Sequence, residues 1–393
     1  MHEHEIQLEP FSVKAIAALP PAGAEWTIPC YEIERRRDLR RTHHIFSVDP
    51  PGCQDIDDAM HAKVLPNGDI EVGVHIADVT YFVPHNSSLD KEAQIRGTTF
   101  YLVDRRFDML PSLLSSVLCS LHGNTDRLAV SVIWTLSSDL EVVKSCWYGR
   151  TVIHNCQAMT YEQAHNILHD KPPDDPSKPP PPPLTAGAPV DPSQIGSLKT
   201  DLSILQRLAR KLRKDREEIG GAVDLSSGDL GTELKFVLDD NGNPVKVSPK
   251  KELEIHHTIA EVMILANQYV ANKIYSTFPD SSLLRIHPPV AEDRFEDLES
   301  ALKAGGISFD GSSNMALAES LKRAKQEGKG DKVVNSLWQS LATRYELFSL
   351  ALPRFAFVDS DSISSCRGQG QCRKHFTYAQ GFKRKESVYL IMD

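Results

Sequence analysis

The chain has 393 residues, with 44 Lys and Arg against 53 Asp and Glu, and a formal net charge of -9. This acidic balance excludes a protein that holds nucleic acid by bulk positive charge alone, but it leaves room for a local basic channel or an acidic metal site. No apolar run of about 18 residues and no apolar N-terminal stretch occurs, so we expect neither a membrane span nor a secretory signal. The seven cysteines are scattered and odd in number. They favour reduced thiols and a cytoplasmic location, with a nuclear one as the alternative.

The part of the chain before residue 171 shows the alternation of apolar and polar residues that is typical of strands. The run at 45–48 ends at the Asp-Pro-Pro-Gly of 49–52, which predicts a turn directly after a strand. Two further runs flank Asn67-Gly68, and an Asn-Gly pair between alternating runs predicts a hairpin. The predicted strands are 45–48, 60–64, 70–76, 127–136 and 141–152.

A proline-rich segment occupies 171–194 and contains ten of the 25 prolines in the chain. Such a composition favours polyproline II and does not fit the interior of a helix or sheet. We expect a disordered surface insertion here. A docking site for a proline-binding domain is the alternative.

After this segment the apolar residues take helical spacing. A helix is predicted around 202–212, where basic side chains flank the apolar positions, and a long one over 252–278. Further helices are predicted at 292–305 and 315–328. Strands that come first and helices that come later indicate the α+β class, with antiparallel strands followed by packed helices.

Four aspartates, Asp49, Asp55, Asp57 and Asp58, lie within ten residues with no Lys or Arg among them. Like charges this close raise each other's pKa values, and a divalent cation removes that penalty. Carboxylate oxygens, with waters and phosphate oxygens, are the ligands that Mg²⁺ prefers. The cluster therefore predicts a metal site suited to phosphodiester hydrolysis. A solvated acidic turn is the alternative.

The run 46–59 around these aspartates, followed by Val-Gly-Val-His-Ile-Ala-Asp-Val at 72–79, resembles the catalytic (RNB) domain of the ribonuclease II family. Within that family the similarity is to the eukaryotic, exosome-associated Dis3-like branch. The resemblance covers about residues 10–344. Matching segments follow in order at 96–102, 109–111, 118–121, 126–127, 147–151, 260–267 and 284–289.

This resemblance implies a processive 3′-to-5′ exoribonuclease that hydrolyses single-stranded RNA to nucleoside 5′-monophosphates. It implies Mg²⁺ as the cofactor, with Mn²⁺ as the alternative ion, and the exosome core as a partner. Matching the family motif position by position, Asp49 and Asp58 would hold the metal. Asp57 would be the essential acidic residue of the catalytic site, and Asp55 would support the same cluster.

Two tyrosines match aromatic positions that contact RNA in the family. Tyr101 would stack on a base near the 3′ end, and Tyr161 would line the channel. A half-buried core position is the alternative for each. Glu261 matches an acidic family position, with a solvated helix face as its alternative, and His75 is expected to be structural.

The resemblance also predicts the domain boundaries. Residues 1–25 would be the remnant end of an N-terminal OB-fold, 26–344 the RNB domain, and 345–393 a divergent tail. The tail lacks the Ser-Pro-Ile-Arg-Arg motif, so the catalytic domain is expected to be incomplete at its C-terminus. One rival hypothesis is a truncated, weakly active or inactive isoform that only binds RNA or partner proteins. Another is a metal-binding structural module unrelated to RNA.

Overall fold

The computed structural model describes the greater part of the chain up to residue 286 and short segments beyond it. The described residues belong to two compact units, one of 1–209, 253–284 and 379–393 and one of 210–252 and 285–378. The main sheet and the predicted site belong to the first unit. The structure describes residues 9–102, 105–174, 181–182, 184–219, 234–238, 244–249, 252–279, 282–286, 303, 306, 308–310, 314–327 and 354–357.

Twelve strands occur in the described residues, and six of them form the main sheet. Its order is β1-β8-β2-β3-β4-β7, and β7 also pairs with β8, so the strands from β8 round to β7 form a closed ring. The strands are β1 (Arg37–Asp38), β2 (Ile45–Asp49), β3 (Asp58–Val64), β4 (Ile70–Ala77), β5 (Phe100–Tyr101), β6 (Arg106–Phe107), β7 (Thr125–Leu136), β8 (Val143–Thr160), β9 (Leu234–Leu238), β10 (Pro244–Pro249), β11 (Leu283–Ile286) and β12 (Arg354–Phe357).

The predicted hairpins are confirmed. Strands β3 and β4 pair antiparallel from Asp58 opposite Ile76 to Val64 opposite Ile70. The turn between them is closed by the Leu65 amide, which donates to the Asp69 carbonyl at 2.8 Å. Strands β7 and β8 also pair antiparallel over their predicted lengths.

Strand β8 is longer than predicted and closes the ring. Its first part pairs with β7, while its last residues, from Asn155 to Thr160, pair parallel with β2. Apolar residues of the sheet and of the helices that precede β7 pack into a core cluster, which includes Ile45, Ile56 and Ile133. This packing holds the aspartate-bearing strands against the rest of the first unit.

The predicted long helix and the helix at 315–328 are confirmed, while the helix predicted at 292–305 lies largely outside the described residues. Four α-helices of the described residues follow β8, and a π-helix, Leu113–Leu118, precedes β7. The α-helices are α1 (Val13–Ala17), α2 (Cys30–Arg35), α3 (Ser88–Arg96), α4 (Tyr161–Leu168), α5 (Ile195–Glu218), α6 (Glu254–Thr277) and α7 (Asn314–Gln326). None of the helices in the described residues is long and apolar enough to cross a membrane.

His75 on β4 and Glu261 on α6 are both buried polar residues. His75 on β4 is fully buried and bonds to Ser131 on β7 at 2.7 Å, which agrees with its predicted structural role. Glu261 on α6 is 4% exposed. The solvated alternative for Glu261 is therefore wrong, because the turns of α6 around it pack into the first unit.

The disorder predicted for the whole of 171–194 is wrong for the part that the structure describes beyond residue 183. Thr185, Ala186 and Val190 are buried. The Ala186 amide donates to the Cys53 carbonyl at 2.9 Å, and the Gly187 amide donates to the Ala158 carbonyl at 3.0 Å. Proline content excludes regular helix and sheet, but it does not prevent a segment from packing through its remaining backbone groups.

The predicted domain boundaries remain predictions. Residues 9–25 contain α1 and a 3₁₀ turn, Gly23–Glu25, and Ala15 of α1 is buried in the core of the first unit. Apart from β12, the predicted tail at 345–393 lies outside the described residues.

Candidate active site

One edge of the main sheet gathers the predicted site residues. Strands β2 and β8 run parallel, so they end at the same edge, where Asp49 pairs with Thr160. Strand β3 runs the other way and begins there with Asp58, opposite Ile76 of β4. The first and last aspartates of the cluster therefore lie at one place, although eight residues of turn separate their strands.

Asp49 is the buried member of the cluster. Its residue exposure is 7%, and its Oδ2 atom is buried with no hydrogen-bond partner among the described residues. Burial raises the pKa of Asp49 well above its usual value, and the nearby charges of Asp58 and Asp55 raise it further, against a hydrogen bond from Ser47. A buried, unpaired carboxylate oxygen between like charges favours a bound cation.

Asp55 sits in a more polar setting. The Arg106 guanidinium lies 3.1 Å from its Oδ1 atom, and the Tyr101 hydroxyl donates to its Oδ2 atom. Tyr101 and Arg106 face each other across the small hairpin of β5 and β6. Arg106 is itself held by Asp108 at 2.6 Å. The hairpin therefore brings a positive charge to one side of the aspartate cluster.

The loop from Asp55 to Asp58 is fixed at Ile56, which is fully buried. The Ile56 amide donates to Ser120 Oγ at 2.9 Å, and the Ile56 carbonyl accepts from the Leu121 amide at 2.8 Å. The Asp57 carbonyl accepts from the Ala77 amide at 3.0 Å. With Ile56 fixed on both backbone groups, the two flanking aspartates keep half-buried positions at the sheet edge.

The residues present fit a divalent cation held in part by water. Asp49 supplies an unpaired buried oxygen, and Asp58 acts on it electrostatically from the next strand. Within the described residues the four aspartates do not bring three potential ligand atoms within 4.8 Å of one another. That looseness suits Mg²⁺, which takes one or two carboxylates and completes its shell with waters and substrate phosphates.

Tyr161 opens α4 directly after Thr160 of β8. Thr160 caps the helix, since its hydroxyl accepts from the Gln163 amide at 3.1 Å and its own amide donates to the Gln163 side chain at 2.8 Å. The Tyr161 ring is half-buried and stacks on His256 of α6, with 4.2 Å between ring centroids. Burial and the charges of Asp58 and Asp49 raise the pKa of Tyr161, so the ring lies within range of the aspartates.

The described end of the proline-rich segment forms one wall beside the cluster. Its Ala186 carbonyl accepts from the Gly52 amide at 3.3 Å, and its Ala186 amide donates to the Cys53 carbonyl. Gly187 adopts φ 105°, and a Cβ there would lie 2.9 Å from the Thr160 methyl group. The segment therefore fixes the turn that leads from Asp49 to the rest of the cluster.

The charges of Asp55 and Asp58 thus act on Asp49, and the charges of Asp49 and Asp58 act on Tyr161. Tyr101 is 58% exposed. The alternative of a half-buried core position is therefore wrong for Tyr101.

Two side chains beside the cluster were not predicted, Arg106 and His256. Arg106 had a weak signal, a basic pair next to an aspartate after a matched segment. His256 had none, because its helix comes about 95 residues after Tyr161 in the chain.

A family model described as the RNB domain matches residues 36–357, which is most of the chain. The chain belongs to the RNB family. The match contains the complete sheet edge that carries the aspartates, and it ends within the predicted tail. The family resemblance and the α+β fold that it implied are therefore confirmed.

Curated relatives of this RNB chain are named as exonucleases. It is 40% identical over 343 residues to DIS3-like exonuclease 2 of Schizosaccharomyces pombe. It is also 40% identical over 345 residues to exosome complex exonuclease RRP44 homolog A of Arabidopsis thaliana. Each alignment covers 87% of this chain but 35% and 33% of the relative. The chain therefore spans about a third of the length of these relatives.

Solved structures share the fold. Mycoplasma genitalium RNase R in complex with ribose-methylated single-stranded RNA matches with a TM-score of 0.72 at 21% identity, over 99% of this chain and 54% of that one. Yeast Ssd1, described as a pseudonuclease, matches with a TM-score of 0.65 at 20% identity, over 94% of this chain and 41% of that one. At such identities the likeness establishes the fold alone.

Proposed function

We propose that this chain carries the catalytic domain of a 3′-to-5′ exoribonuclease that hydrolyses single-stranded RNA processively to nucleoside 5′-monophosphates. The observation that carries the proposal is the buried, unpartnered Oδ2 of Asp49 at a sheet edge shared with Asp58. The named activity of the curated relatives supports it. Because the chain spans about a third of their length, the activity of this chain is the quantity to be measured.

In this proposal Asp49 and Asp58 bind the metal, and Asp57 is the essential acidic residue of the catalytic site beside them. Mg²⁺, with Mn²⁺ as the alternative ion, would neutralise charge on the scissile phosphate and lower the pKa of a water. Asp55 is oriented by Arg106 and by the Tyr101 hydroxyl, so it supports the cluster without adding a fully unpaired charge.

The two tyrosines are proposed to hold the RNA by its bases. Tyr161 stands at the start of α4 with one face on His256, so its ring is held in one orientation before RNA arrives. Tyr101 is exposed on its short hairpin and is tied to Asp55 through its hydroxyl. Aromatic stacking accepts any base, as a degrading enzyme requires.

The proposal is tested by Asp57→Asn in the full chain, with Asp170→Asn as the matched control. Asp170 is an exposed aspartate just after the end of α4, and it pairs with Lys199 of α5. Decay of a labelled single-stranded RNA is followed on gels, and RNA binding by fluorescence anisotropy. We expect Asp57→Asn to abolish decay and keep binding, while Asp170→Asn keeps both.

Two other results contradict the proposal. If the unmodified chain binds RNA without degrading it in Mg²⁺ or Mn²⁺, the RNA-binding isoform is the better description. If the unmodified chain neither binds nor degrades RNA, the structural metal-binding module is the better description.

Metal binding has its own readout in Asp49→Asn. This substitution removes the repulsion between the buried Asp49 carboxylate and Asp58 in the metal-free protein. We therefore expect the melting temperature of the variant in EDTA to equal or exceed that of the unmodified chain. Added Mg²⁺ should raise the melting temperature of the unmodified chain and leave that of the variant unchanged. An equal Mg²⁺ response in both proteins would contradict the assignment of Asp49.

We also propose the exosome core as a partner, because relatives such as the mouse protein carry the name exosome complex exonuclease RRP44. Co-purification of the tagged chain with exosome core subunits tests this. A cytoplasmic location, with a nuclear one as the alternative, is proposed on the thiols. The cysteines that the structure describes, at positions 30, 53, 119, 146 and 156, are free, as suits a reducing compartment.

A further inference from the structure

A second group of potential metal ligands lies on the main sheet away from the aspartates. It consists of His43, just before β2, His61 on β3 and Glu71 on β4, and one donor atom from each lies within 4.8 Å of the others. Glu71 Oε1 is 2.9 Å from His43 Nε2 and 3.5 Å from His61 Nε2. His61 is three residues after Asp58, so its side chain points from the opposite face of β3.

The three side chains are largely shielded from solvent. The exposed fraction of the side chain is 5% for His43, 1% for His61 and 12% for Glu71. His61 packs over Gly73 of β4, where a Cβ would collide with the imidazole ring. Only glycine at this position leaves room for the ring, which is therefore fixed in place.

A chain of hydrogen bonds runs from the Ala129 carbonyl to His61. With the Thr151 hydroxyl donating to the Ala129 carbonyl, the Ser131 hydroxyl donates to Thr151 at 2.7 Å. His75 Nδ1–H must then donate to Ser131 at 2.7 Å. With both imidazoles neutral, His61 Nδ1–H donates to His75 Nε2 at 2.8 Å.

This arrangement leaves His61 Nε2 with a lone pair. The atom is buried and has no hydrogen-bond partner among the described residues, and it faces a carboxylate oxygen of Glu71. Two acceptors that face each other in a buried place repel unless a cation lies between them.

We propose that His43 Nε2, His61 Nε2 and a Glu71 carboxylate oxygen bind a Zn²⁺ ion. Two imidazoles and one carboxylate are a ligand set that Zn²⁺ accepts and Mg²⁺ does not favour. Ligand atoms about 2.0 Å from a tetrahedral Zn²⁺ lie about 3.3 Å apart. The separations of Glu71 Oε1 from His43 Nε2 and from His61 Nε2, 2.9 and 3.5 Å, bracket that value.

The surroundings complete the site. Each ligating histidine has its second nitrogen engaged, His61 through His75 and His43 through the Thr42 hydroxyl at 2.7 Å. Such partners fix the ring orientation of metal-bound imidazoles. Three protein ligands leave a fourth position for a water, on the side where Glu71 retains some exposure. The ion would join His43, just before β2, to β3 and β4. It would lie on the face of β3 opposite to Asp58.

The experiment measures Zn²⁺ binding to the full chain by competition with a chromogenic chelator. Excess Mg²⁺ is present throughout, so that the aspartates are occupied. We expect one tight equivalent of Zn²⁺ in the unmodified chain. Glu71→Gln and His43→Gln should each weaken it by more than the roughly 10–100-fold that is lost when an outer-shell partner of a metal ligand is removed. Co²⁺ in place of Zn²⁺ should give the intense visible absorption of a four-coordinate ion.

Two controls should keep the Zn²⁺ equivalent. Asp201→Asn alters another histidine–carboxylate pair, with His44 at 2.9 Å, for which the described part of the chain offers no third ligand. Asp49→Asn alters the proposed Mg²⁺ site. The absence of a tight equivalent in the unmodified chain, its retention in both ligand variants, or its loss in Asp49→Asn would overturn the proposal.

Circular dichroism shows whether the ligand variants fold. If they do not, X-ray absorption spectroscopy of Zn²⁺ bound to the unmodified chain identifies the ligands. Scattering from two imidazole rings supports the site, and an all-oxygen shell refutes it. This outcome is independent of RNA decay, so the zinc site stands or falls separately from the proposed exoribonuclease activity.

Discussion

Asp78→Asn removes one charge from a buried ion pair at the end of β4. Arg36 Nη1 lies 2.7 Å from Asp78 Oδ2, and their side chains are 1% and 0% exposed. Arg36 is also held by Glu32 at 2.7 Å. The pair follows Ala77, whose amide donates to the Asp57 carbonyl, so it holds the strand end to which the aspartate loop is bonded.

The size of the effect follows from these contacts. Removing one partner of a buried ion pair costs about 3–5 kcal/mol, because the other charge is left uncompensated. Asparagine keeps an oxygen for the Thr80 hydroxyl, which donates to Asp78 at 2.6 Å, and Glu32 still neutralises part of the Arg36 charge. We therefore expect the lower end, about 3 kcal/mol. Asp170→Asn, which breaks an exposed pair with Lys199, should cost less than about 1 kcal/mol.

Urea unfolding followed by tryptophan fluorescence measures the difference. With a slope of about 3 kcal/mol per M, a loss of about 3 kcal/mol lowers the unfolding midpoint by about 1 M. A double-mutant cycle with Arg36→Met tests the cause. If Asp78→Asn costs as much in the Arg36→Met background as in the unmodified chain, the uncompensated Arg36 charge is not the reason, and the argument is refuted.

Three further predictions concern the site and its support. Tyr161→Ala, in the Asp57→Asn background, should weaken RNA binding by the about 1–3 kcal/mol of one base stack, while Tyr161→Phe keeps it; equal affinities by fluorescence anisotropy would exclude stacking. Gly187→Ala places a side chain at φ 105° and should lower the free energy of unfolding by about 1–2 kcal/mol; an unchanged melting temperature would contradict the packing of this segment. In EDTA, stability should fall as the pH drops from about 7.5 to about 5. Burial lowers the pKa of His61 to about 4 and that of His75 well below its usual value. The contribution of the two histidines to the free energy of unfolding is present above about pH 6.5, the pKa of histidine in the unfolded chain, and is lost below it. A urea midpoint that does not change across this pH range would refute the prediction.

The local elements of the fold were predictable because their signals are local. Alternating residues around Asn67-Gly68 predicted β3 and β4, and an apolar stripe predicted α6 nearly to its ends. The parallel pairing of β2 with β8 was not predicted, nor was the extension of β8 to Thr160. Pairing between strands far apart in the chain leaves no periodic pattern in either strand.

The same distinction applies to the site. The four aspartates were predictable because they lie within ten residues of one another. Arg106 reaches Asp55 through a hairpin of two-residue strands, and such short strands carry no measurable alternation. For the proline-rich segment, composition indicated the absence of helix and strand, which is a different property from the absence of packing around Ala186.

The parallel pairing of Asp49 with Thr160 has a consequence for synthesis. The strand that completes the aspartate edge lies about 110 residues further along the chain, which is on the order of 5–20 seconds of translation. During that interval a nascent chain already contains all four aspartates, but Asp49 lacks the neighbouring strand that buries it and the helix that places Tyr161. A ribosome-bound chain of this length therefore carries the aspartates without the strand and the helix that complete this edge of the sheet.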